Sequence, residues 1–127
     1  MSFIRAKGIP VWVTIIAVLL GLFGTAIGVV VMINPSLAFG YIAGADSLAL
    51  TWAGRNAGLG IALLVAVYLR NANGYAVAFA GSILREVSDI LSVLPNGSGM
   101  IIGVGILFLL VDIVCFVISL RAARQQS

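Results

Sequence analysis

From position 11 to position 33 the chain runs for 23 residues without a charged side chain. No other feature restricts the fold as much. About 20 apolar residues, at ~1.5 Å rise each, cross the ~30 Å hydrocarbon layer of a bilayer as a helix. In lipid only a helix or a closed barrel satisfies every backbone N–H and C=O. Three further runs have this length and character, at about 48–69, 74–94 and 100–120. The 127 residues are 62% hydrophobic and 9% charged, with a mean hydropathy of +1.22. A soluble domain carries roughly 25% charged residues. The expected fold is therefore all-α: a single four-helix transmembrane domain over residues 1–127.

The connections support this reading. Asn34-Pro35 ends the first run, because the residue before proline avoids helical geometry. "RNANG" at 70–74 and "PNGSG" at 95–99 are tight turn sequences. They make the second, third and fourth helices sequential antiparallel neighbours. The longer 34–47 connection, "NPSLAFGYIAGADS", fits either a short interfacial helix or a loop packed over the helix ends. Arg5 and Lys7 ahead of the first run, with Ala43-Gly44-Ala45 after it, resemble a secretory signal. The run is longer than the usual ~7–15-residue signal core, so it is read as a retained span.

Lys and Arg set the orientation. Arg5, Lys7, Arg70, Arg121 and Arg124 all fall on one side of the four spans, and the loops 34–47 and 95–99 contain neither residue type. The expected topology has both termini in the cytoplasm, in a multi-pass protein of the plasma or inner membrane. The net charge of +3 is accounted for by these flanks, so no nucleic-acid partner is expected.

Several chemistries are excluded. There is no His, which removes His-based metal, haem and general-base chemistry. The single Cys115 allows no intrachain disulfide and no CxxC exchange centre, and reads as a small core or lipid-facing residue. No metal site and no catalytic residue is nominated. Trp12, Trp52, Tyr41, Tyr68 and Tyr75 lie near span ends, where interfacial anchoring explains them. Small residues recur at four-residue spacing: Ala17, Gly21 with Gly24, Gly28; Ala53, Ala57 and Gly54, Gly58; Ala72, Ala76, Ala80; Gly99, Gly103. Such stripes let helix backbones approach closely, within the chain or against a second copy.

Against this background "SILREVSDI" at 82–90 is anomalous, with Arg85, Glu86 and Asp89 inside an apolar span. Arg55 and Asp112 complete the set. Each charge in hydrocarbon costs at least ~2.5–3.5 kcal/mol on insertion scales, so these groups should face inward and pair. At ~1.5 Å per residue, Arg55 and Asp89 both lie roughly 7–10 Å from the outer ends of their helices, which predicts an ion pair with Asn56 extending it. The same arithmetic puts Arg85 at roughly 13 Å and Asp112 at roughly 18 Å, within reach of an arginine, and predicts a second pair. Glu86 is then the surplus carboxyl. At about 100° per residue Asp89 lies about 40° from Arg85, and Ser82, Ser88 and Ser92 fall on or beside the same arc. This polar stripe is either structural glue fixing helix register or a ligand-binding or proton-relay site made by Arg55, Asn56, Ser82, Arg85, Glu86, Asp89 and Asp112. Contact with a partner protein is a third option.

"GRNAGLGIALL" at 54–64 followed by "GSILREVSDILSVL" at 81–94 resembles the small four-helix membrane proteins of the DoxX-like superfamily. The closer likeness is to a branch with Gly-Arg-Asn/Asp in helix two and an Asp late in helix three. It covers about residues 53–94. The resemblance implies that Arg55, Asn56 and Asp89 are family polar positions, and that membrane oxidoreductase complexes and the quinone pool are the functional context.

Three functions follow as expectations. The first is an accessory subunit, or a binder of a lipid-like ligand, without catalysis of its own and working with a membrane protein partner or as a homo-oligomer. The second is a quinone-linked oxidoreductase subunit. Its cofactor would be a diffusible quinone, not a group bound through the chain. The third is a proton-coupled small-molecule exporter, although the first span lacks the carboxylate such small exporters carry there.

Overall fold

The computed structural model describes residues 6–37, 46–95 and 97–127. These form four long helices: α1 (Val11–Ile33), α2 (Asp46–Leu69), α3 (Ala72–Val93) and α4 (Gly99–Arg124). A single 3-10 turn at Pro35–Leu37 follows α1. No strand occurs among the described residues. Most of the 34–47 connection lies outside them, so neither reading of it is addressed. Three helices, α1, α2 and α4, are long and apolar enough to cross a membrane. Helix α3, expected as a fourth span, is not among them; its 22 residues carry Arg85, Glu86 and Asp89.

Helix ends follow local chemistry. The α2–α3 corner is a Schellman motif: Asn71 N–H donates to Ala66 O at 3.3 Å and Arg70 N–H to Val67 O at 3.1 Å. Arg70 occupies the left-handed position, with φ 51°, where glycine is the usual residue. The Asn71 side chain then caps α3 by accepting from the N–H groups of Asn73 and Gly74. Ser98 caps α4, its Oγ accepting from Ile101 N–H at 3.3 Å. Helix α4 runs beyond the expected Leu120 to Arg124. Arg121 and Arg124 suit the negative end of the helix dipole, and Ala122 and Ala123 are buried.

Consecutive helices are antiparallel neighbours: α1 packs on α2, α2 on α3 and α3 on α4. The α1–α2 contact is the closest, because it is built from small residues. A Cβ placed on Gly28 would lie 2.6 Å from Ala53 O and 2.7 Å from the Ala57 Cβ. One on Gly60 would lie 2.6 Å from Thr25 N. The stripe Ala17, Gly21, Gly24 and Gly28 is thus an intrachain surface. Gly58, Gly99 and Gly103 have open space where a side chain would sit.

All four helices contribute to one core, with Val13 and Ala17 from α1, Leu63 and Ala66 from α2, Tyr75 and Phe79 from α3, and Cys115 and Ala122 from α4. This core fills the end of the molecule where Ala6 and Ile9 pack and where the Gln126 side chain donates to Lys7 O. The first described residues and the C-terminus therefore meet at one end, beside the α2–α3 corner. Towards the opposite end lies a smaller cluster, Val31, Ala49, Trp52 and Ala53. The polar residues sit on this side of the main core.

Candidate functional site

Helix α3 separates its faces sharply. Ser82 and Glu86 are buried, and the side chains of Arg85 and Asp89 are only 11% and 14% exposed. Val77, Leu84, Val87 and Leu91 face outward. The inward face meets α2 and α4, and most of the polar positions converge there.

Arg55 on α2 forms an ion pair with Asp89 on α3, and its Nη1 donates to Ser88 Oγ at 3.2 Å. Two antiparallel helices thereby bring together residues 34 positions apart. The Trp52 indole lies beside the same carboxylate. Asn56 does not extend this pair. Its Nδ2 donates to Trp52 O at 2.9 Å, and its Oδ1 accepts from Arg85 Nη1 at 3.4 Å.

The expected Arg85–Asp112 pair does not form. Arg85 pairs with Glu86, its neighbour in the chain. Asp112 instead accepts from Ser82 Oγ at 2.7 Å, while its Oδ1 is enclosed without a hydrogen-bond partner. The physical reason is side-chain reach. An arginine spans the ~100° that separates consecutive residues on a helix, and doing so keeps its guanidinium on the α2 side, near Asn56. Asp112 then faces the short Ser82 side chain. The surplus carboxyl is Asp112, not Glu86. Ser92 leaves the polar arc too, bonding Asp89 O of its own helix at 2.7 Å.

A cavity of about 410 Å³ opens beside this network. Asn56, Arg85, Glu86 and Asp89 form one wall, with Trp52 at its edge. Leu20, Phe23 and Ile27 of α1 and Val104, Gly105 and Phe108 of α4 form the other. The space exists because α1 is drawn onto α2 through its glycines, and is not packed closely on α4. The result is an amphiphilic pocket: a charged, internally neutralised wall facing an aliphatic and aromatic one. Asp112 and Ser82 lie outside its lining, one helical turn from Phe108 and Glu86 respectively.

Sequence reasoning missed one lining residue, Trp52, and the burial of a second aromatic, Tyr75. Trp52, which its place near a span end marks as an interfacial anchor, is 8% exposed and lines the cavity. Tyr75, read the same way, is fully buried and donates to Thr14 Oγ1 at 3.2 Å, joining α3 to α1. A clue to Trp52 was its position one turn before Asn56, on the face that carries Arg55 and Asn56. Trp12 and Tyr68 are exposed, and Tyr41 lies outside the described residues. Cys115 is a buried free thiol of the core. No cluster of metal-ligating side chains occurs among the described residues. No family model matches this chain, and no curated protein or solved structure matches it.

Proposed function

We propose that this chain is a four-span protein of the plasma or inner membrane, both termini cytoplasmic, that holds a membrane amphiphile between its helices. The amphiphilic cavity carries the reading. Its volume, about 410 Å³, falls within the ~300–1,000 Å³ typical of small-molecule sites. That is room for a polar head and the first part of a chain, not for a whole lipid. The head would lie against Asn56, Arg85 and Glu86, and the chain against Phe23, Ile27, Val104 and Phe108.

The membrane placement rests on two further observations. The outward face of α3 is apolar, so its charges do not bar it from lipid. Lys7, Arg70, Arg121 and Arg124 gather at one end of the molecule, as the excess of positive charge on cytoplasmic flanks would arrange them. On this reading the protein has no catalysis of its own and acts as an accessory subunit, retaining or presenting the amphiphile to a membrane partner.

A second reading is a quinone-linked oxidoreductase subunit of the DoxX-like kind. The Arg85–Asn56 bond favours it. At 3.4 Å that bond is long, and on this reading Arg85 Nη1 is the donor to the quinone carbonyl. No observation favours the exporter reading.

The test is purification of the full chain in mild detergent, with mass spectrometry of what accompanies it. One amphiphile class should be enriched over the bulk membrane and lost from Val104→Trp, which fills the apolar side of the cavity. An identical profile in both proteins, matching bulk lipid, would sink the proposal.

A further inference from the structure

The interior contains two guanidinium groups, Arg55 and Arg85, and three carboxyls, Glu86, Asp89 and Asp112. Two carboxyls are neutralised, Asp89 by Arg55 and Glu86 by Arg85. Asp112 is not. It is 0% exposed, and no cation lies within salt-bridge distance of it among the described residues. Its surroundings offer little else. From α3 it receives one hydroxyl, Ser82 Oγ at 2.7 Å, with Arg85 and Glu86 the nearest charges on that helix and already engaged with each other. From α4 the next inward polar group is the thiol of Cys115, one turn on. Helix α1 has no charged residue, and Arg55, the charge on the inward side of α2, is held by Asp89.

An ionised carboxylate presents about four lone-pair sites. Here one is filled, and Oδ1 is sealed from solvent with no donor. Such an anion is costly inside a protein, and one hydroxyl with an arginine already engaged elsewhere compensates it poorly. A neutral carboxylic acid escapes this cost. It also balances the interior charge, leaving Arg55 and Arg85 against Glu86 and Asp89.

We propose that Asp112 is a proton-binding site, its carboxyl held in the neutral acid form and hydrogen-bonded to Ser82 of α3. The 2.7 Å separation suits an O–H···O bond in either direction. With the proton on Oδ2, Asp112 donates to Ser82 Oγ. When the carboxyl is ionised, the Ser82 hydroxyl donates to it instead. The assignment does not depend on what occupies the cavity.

Infrared spectroscopy of the purified full chain, in an ester-free detergent at neutral pH, tests this directly. The spectrum should contain the carbonyl band of a protonated carboxylic acid. The band should shift when aspartate is labelled with 13C at its side-chain carboxyl. It should persist in Glu86→Gln and vanish in Asp112→Asn. Asparagine closely matches the neutral acid in shape and charge, so Asp112→Asn should melt within a few degrees of the wild type. Absence of the band from the wild type, its indifference to the aspartate label, or its survival in Asp112→Asn would each overturn the proposal. So would failure of Asp112→Asn to fold, which would mark the site as one that needs the anion.

Discussion

Arg85 and Glu86, adjacent in sequence, neutralise each other on the inner face of α3, each side chain about nine-tenths buried. Breaking such a pair from one side strands the other charge, typically at ~3–5 kcal/mol, whereas removing both charges costs far less. Arg85→Gln and Glu86→Gln should therefore each be markedly less stable than the double variant Arg85→Gln/Glu86→Gln. Thermal unfolding of the four proteins in one detergent gives the cycle. A double variant no more stable than the worse single would contradict the pairing.

Arg55 and Asp89 form the more open pair, with the arginine side chain 36% exposed. Removing the less enclosed partner strands its counter-charge less completely. Arg55→Gln is expected to lower stability less than Arg85→Gln. Unfolding midpoints of the two variants in one detergent check the order.

Tyr75 and Thr14 supply a hydrogen bond between α3 and α1 at 3.2 Å. Interhelical hydrogen bonds of this kind average about 0.6 kcal/mol in membrane-protein cycles. The coupling between Tyr75→Phe and Thr14→Val should be favourable and of that order. A coupling of zero would show that the hydroxyls do not meet in the folded protein.

The α1–α2 contact should tolerate no added bulk. A Cβ on Gly60 would lie 2.6 Å from Thr25 N and 2.7 Å from Gly21 O, both backbone atoms that cannot swing aside. Overpacking commonly costs ~1–3 kcal/mol, and Gly60→Leu is expected to reach the upper end or fail to fold. Gly58 has nothing within 4 Å of its added Cβ. Gly58→Ala should be neutral, or stabilising by up to about 1 kcal/mol through helix propensity. Detergent-resistance assays on the two variants would separate them.

How far the site could be read from the chain varied residue by residue. Arg55 and Asp89 could be matched because depth along an antiparallel pair follows from counting residues at a fixed rise. The same counting failed for Arg85 and Asp112. Depth gives one coordinate, and a long flexible side chain chooses its partner on the other two. Trp52 and Tyr75 were misread for a related reason. Nearness to a span end is a statement about depth, while burial depends on which way the residue faces.

Hydropathy and turn residues were sufficient to define an all-α chain built of long apolar helices with tight corners. These features arise from local interactions and from the solvent each segment requires. They needed no knowledge of which helix faces which. Partner choice at Arg85, the isolation of Asp112 and the cavity between α1 and α4 were decided only by tertiary packing. Glycines draw α1 onto α2, so α1 stands back from α4. That displacement leaves room beside the charges, and no local stretch of sequence specifies it.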